Sequence, residues 1–190
     1  NPFDTPLGNR KPLPSHKAFL VNLLSLLATP LDVTAPADGV PGLIGRAVDL
    51  AYEELSDNHH PRLYQPNVLP KLHALITEEG IRRDASTSWW EVVDGLFERG
   101  YVHEALQAQR YAVPLLADVG DKGIQNTYDK NLILNVWRSL LDAIDAYVIL
   151  KEPTQFDLGD AQIVSLDLDE VAPRGGSTAD RQSAVMYMLA

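Results

Sequence analysis

The apolar positions of this chain recur mostly at helical spacing. After a lead-in holding Pro2, Pro6, Pro12 and Pro14, which is turn-rich rather than helical, Ser15 is placed to cap a helix through about Ala28. Leu20, Leu23, Leu24 and Leu27 form its stripe, and Phe19, Val21 and Leu26 widen it, so other helices are expected to cover it. "LDVTAPADGVPG" (31–42) reads as a loop. A second helix is expected over 43–56, with Ile44, Val48, Ala51, Tyr52 and Leu55 on one side. "DNHHPRLYQP" (57–66) is again a loop. A shorter helix is expected over 68–79, closed by Gly80. Thr87 or Ser86 should cap "SWWEVVDGLFERG". The following helix should kink or break at Pro114, and a long one should run over 124–150 with Leu132, Val136, Leu140, Ile144 and Val148 in i, i+4 register.

The period changes after Pro153. In "IVSLDLDE" (163–170) Val164, Leu166 and Leu168 alternate with Ser165, Asp167 and Asp169, which is the period of a strand with one polar face. Ser177, with Asp180 three residues on, makes a capping-box-like start for a final helix. A lone strand cannot satisfy its own backbone, so its neighbours must come from "TQFDLG", from the Pro-rich start or from polypeptide outside this sequence. The non-Met start and the apolar close "AVMYMLA" likewise predict a piece of a longer chain.

Composition narrows the function classes. The 26 acids against 16 bases give a formal charge of −10, and no dense Lys/Arg cluster interrupts that excess. Direct nucleic-acid binding and attraction to anionic lipid therefore lack an electrostatic basis. There are no cysteines, which removes disulfides, thiolate zinc sites and Cys nucleophiles, and suits a reducing cytosol. The run "AFLVNLLSLLATPL" is interrupted by Asn22 and Ser25 and stopped by Pro30. It falls short of the roughly 20 residues a membrane helix needs and reads as a buried core helix rather than a signal peptide.

Three stretches carry a family resemblance: "NPFDTPLGNRKPLPSHKAFLVNLLSLLATP", "TSWWEVVDGLFERGYVHEALQAQRYAVPLLAD" and "TQFDLGDAQIVSLDLDEVAPRGGSTADRQSAVMYMLA". Together they resemble the IcmB/DotO–TraU family, the large cytoplasmic ATPases of type IVB secretion and related conjugation systems. The resemblance runs over nearly the whole chain in order. It implies a parent ATPase with a RecA-like motor, using ATP and Mg, oligomeric and usually hexameric, at the inner-membrane face of the secretion apparatus and in contact with its proteins. It implies too that the phosphate-binding loop precedes "NPFDT" and that the hydrolytic acid pair follows Ala190. On this reading the fold is mainly α: 1–14 is a lead-in from the ATPase core, 15–152 a helical insertion, and 153–190 a strand-loop-helix returning to the core.

The candidate sites follow from that frame. Asp167, Asp169 and Glu170 invite comparison with the acids of a nucleotide triphosphatase. Such acids, however, end strands buried on both faces, which are continuously apolar, and no G-x-x-x-x-G-K-[ST] occurs in the chain. "APRGGST" offers Gly175 and Gly176 before a helix start, with Arg174 or Arg181 able to reach a neighbouring subunit's nucleotide; a two-glycine turn before a capped helix is ordinary, however, and a plain turn is the preferred reading. His59-His60 lacks a third ligand at diagnostic spacing and reads as solvated loop. "YEELSD" and "TEEG" read as solvated helix faces. Of Trp89 and Trp90, one is expected in the core and the other at a domain contact. A free-standing acidic helical adaptor is the alternative function. A small hydrolase built on Asp167, Asp169 or Glu170 is a distant third.

Overall fold

The computed structural model describes residues 1–30, 33–56, 64–123, 130–155 and 177–189. Eight α-helices and a 3-10 turn form there: α1 (Pro14–Ala28), α2 (Val40–Leu55), α3 (Pro70–Glu78), α4 (Trp89–Glu98), α5 (Val102–Gln109), α6 (Leu116–Gly123), α7 (Lys130–Ala146), the 3-10 turn Val148–Leu150, and α8 (Ser177–Leu189). The fold is mainly α. No strand forms among the described residues, and the expected strand at 163–170 lies outside them.

Helix starts depart from expectation where proline decides them. Pro14 is the first residue of α1 and Leu13 its N-cap, so Ser15 lies within the helix rather than capping it. α2 begins at Val40, inside the stretch read as loop, because Gly39 (φ 86°) turns the chain and Pro41 tolerates the first turn. α3 begins at Pro70 rather than Val68: Pro70 takes the first helical position, which its ring suits, and Leu69 stays outside the helix at φ 63°. Gly80 (φ 63°) closes α3 as expected, and Gly100 (φ 85°) closes α4. Pro114 falls between α5 and α6, a full break. The long helix is shorter than expected: α7 ends at Ala146 and the chain continues as the 3-10 turn, while 124–129 lie outside the described residues.

The cap of α4 is Ser88, not Thr87 or Ser86. Ser88 Oγ accepts from Glu91 N (3.2 Å), and Glu91 Oε2 accepts from Ser88 N (2.7 Å). Only Ser88 has an acid three residues on, as this reciprocal box requires. Thr87 is committed elsewhere, its Oγ1 accepting from Asp84 N at 2.9 Å. Ser88→Ala is expected to cost about 1 kcal/mol in urea unfolding, and an unchanged midpoint would argue against the box.

Four helices close a ring of packing: α1 on α2, α2 on α6, α6 on α7, and α7 back on α1. The α1 stripe lies inside it, with Leu20, Leu23 and Leu24 fully buried; α8 leans on α1, and its Val185 is buried. The five positions expected on one side of α2 are all buried. The α4–α5 hairpin extends the same core.

Both tryptophans of α4 are buried, at 2% exposure each, which corrects the expectation of one inward and one outward. Trp89 meets Tyr64 edge-on (4.9 Å) and Tyr111 (5.1 Å). Trp90 is covered from another direction by the lead-in, whose Arg10 guanidinium sits 5.0 Å from its ring. A helix face can thus be buried on two sides when a separate segment wraps it.

Candidate functional site

The lead-in and the end of the helical body meet at one place. Thr154 Oγ1 donates to Asp4 Oδ2 at 2.5 Å across 150 residues of sequence. Asn1 reaches in from the same limb, its Nδ2 donating to Pro114 O (3.3 Å) and its backbone nitrogen lying 2.6 Å from Thr154 Oγ1. The lead-in is fastened further along. Tyr52 Oη of α2 donates to Phe3 O (2.6 Å), and Phe3 is fully buried. His16 Nε2 lies 2.7 Å from Pro2 O. Burial, and then the nearby Asp4 charge, push the Tyr52 phenol far above its ordinary pKa, so it remains a donor.

Gln109, at the end of α5, is the hub. It is 1% exposed. Its Nε2 donates to Thr5 O (2.9 Å) and Pro6 O (3.1 Å), and its Oε1 accepts from Gly8 N (2.8 Å). One carboxamide thereby satisfies backbone groups of a turn segment that has no ladder of its own. Two clefts flank Arg110, the next residue. One of about 190 Å³ is lined by Asp4, Thr5, Leu106 and Gln109, and one of about 320 Å³ by Gln107, Tyr111 and Thr154.

A second polar groove, of about 450 Å³, runs along α4. Its two cations are each matched by carboxylates: Arg10 with Asp94 (2.5 Å), and Arg82 with Asp84 (2.7 Å) and Glu91 (3.3 Å). Asp84 also accepts from Ser86 N (2.8 Å). The Arg82 hydrogen bond, then those from Ser86, hold its carboxyl well below the ordinary range. Because the cations are already neutralised, this groove is a braced turn rather than an anion cradle.

Of the residues singled out in sequence, Asp167, Asp169, Glu170, Arg174, Gly175 and Gly176 lie outside the described residues, as does His59-His60. Arg181 belongs to α8. Among the described residues no cluster of three or more His, Asp or Glu side chains could hold a metal, and no helix is long and apolar enough to cross a membrane. The two acidic runs carry structural bonds: Glu53 pairs with Lys11 (3.0 Å), and Glu79 accepts from Tyr101 Oη (2.5 Å). Gln109 and Thr154 were not singled out. For Gln109 a signal existed: it sits with Ala105 and Ala108 on the buried side of its helix, where a polar residue needs partners. Comparison with protein-family models, curated proteins and solved structures finds no match to this chain.

Proposed function

We propose that this chain is the helical subdomain of a larger secretion or conjugation ATPase, inserted into a RecA-like core through two adjacent limbs. The observation that carries the reading is the Asp4–Thr154 hydrogen bond. A body inserted into another domain must enter and leave at neighbouring points; here Asn1 and Asp4 lie beside Thr154, and α8 further along packs back on α1. The absence of a G-x-x-x-x-G-K-[ST] run from the sequence agrees with it.

On this reading ATP and Mg bind in the parent's core, not in the helical body, and hydrolysis powers apparatus assembly or substrate translocation in the cytoplasm. The body supplies shape and contacts to other subunits and to apparatus proteins; exposed Phe97 (55%) and Val102 (53%) on the α4–α5 hairpin are apolar side chains suited to them. Arg174 and Arg181, within the return limb, are the cations in sequence order to approach a neighbour's nucleotide.

The flanking coding sequence tests the assignment. A phosphate-binding loop upstream and an apolar strand ending Asp-Glu downstream are expected, and their absence refutes it. The chain alone is expected to bind no ATP by calorimetry; saturable binding would contradict the placement of the nucleotide loop outside it.

A further inference from the structure

We propose that a cleft between α1, α2 and α7 binds a small amphiphilic carboxylate, an apolar body ending in one carboxyl group. The cleft measures about 420 Å³, within the usual range for small-molecule sites. Its walls are apolar, with Ala28 from the end of α1, Val40 from the start of α2 and Val136 from α7, each less than one-tenth exposed. Its polar groups come from one helix. Asn135, Arg138 and Ser139 of α7 are spaced i, i+3 and i+4, so they share a face, and all three line the cleft.

These three side chains are unspent. Among the described residues none of them has a hydrogen bond or an ion pair. That contrasts with Arg10, Lys11, Lys17 and Arg82, each engaged by a carboxylate in this strongly acidic chain. Asp142 lies one turn beyond Arg138, where i, i+4 pairing is available, yet Arg138 lines the cleft and makes no such pair. A guanidinium, an amide and a hydroxyl over an apolar floor match a carboxylate with a hydrocarbon body. One cation beside an acid is too little for a phosphate dianion. The site is independent of the ATPase reading.

Titrating the ¹⁵N-labelled chain with octanoate, octan-1-ol and octylamine tests it. Octanoate is expected to shift the amides of Val40, Val136 and Ser139 saturably, with octan-1-ol and octylamine about tenfold weaker or more. Arg138→Gln should reduce octanoate to the level of octan-1-ol while leaving octan-1-ol unchanged. Both Arg138 and Asp142 are exposed, so these variants fold. Asp142→Asn removes a competing charge and should tighten octanoate about twofold. The proposal is overturned if no probe saturates, if octan-1-ol or octylamine matches octanoate, or if shifts map elsewhere. It fails equally if Arg138→Gln leaves octanoate affinity unchanged or Asp142→Asn weakens it.

Discussion

Gln109→Glu is expected to destabilise the chain by about 3 kcal/mol at neutral pH and to release the lead-in. The substitution is nearly isosteric, so packing is preserved and only the chemistry changes. A carboxylate still accepts from Gly8 N, but it cannot donate to Thr5 O and Pro6 O, and it turns negative charge on both carbonyls in a buried site. Protonation restores a donor. The pH sign follows: burial beside carbonyls raises the folded-state pKa of the new acid above its unfolded value. Its contribution is therefore present below the ordinary carboxylate range and lost as pH rises through the raised value. Urea unfolding should show a gap to the parent chain that is wide at pH 7 and narrower in acid. Amide exchange at Gly8 should accelerate at pH 7. Equal stability at pH 7 would remove Gln109 from its place as hub.

Gly120→Ala should destabilise by about 2 kcal/mol, opposite in sign to what helix propensity alone gives. Alanine normally improves a helical glycine by about 1 kcal/mol. At Gly120 on α6, however, a Cβ would fall 1.3 Å from Trp137 Cζ3 and 2.0 Å from Cη2, so the indole of α7 must leave its place. Gly42 on α2 is the control. A Cβ there meets nothing within 4 Å, and Gly42→Ala should stabilise by up to about 1 kcal/mol. Thermal unfolding of the two variants separates them by sign. Trp137→Leu in the Gly120→Ala background should recover part of the loss, because the two positions are coupled through one contact. A stabilising Gly120→Ala would mean that α6 and α7 do not meet face to ring.

The helical body was legible in the sequence because its apolar stripes are long and regular, as with Leu20, Leu23, Leu24 and Leu27 in α1 and the α2 side from Ile44 to Leu55. Boundaries were less so. Pro14 and Pro41 read as punctuation and Pro70 as helix interior, but each lies in a first turn, where a missing N–H costs nothing. The Ser88–Glu91 box was present as S-x-x-E and lost to the neighbouring Ser and Thr.

What periodicity could not carry was the lead-in. Phe3 and Thr5 lie in a segment without period, and their burial depends on Tyr52 and Gln109, residues distant in sequence. The second tryptophan was misjudged for the same reason, since its cover comes from Arg10. The family resemblance points to the acids and glycines of 163–178. The residues that fasten the lead-in are instead Asp4, Gln109 and Thr154, ordinary polar residues whose meaning appears only once the chain has closed.

That closure is the central claim, and the absence of cysteine makes it directly measurable. In the double variant D4C/T154C the two introduced thiols are the only ones, and the side chains they replace touch at 2.5 Å. A short bis-maleimide, followed by mass spectrometry of the monomer, should link them within one chain quickly and nearly completely. Two singly modified thiols, or links formed only between chains, would contradict a lead-in held against residue 154.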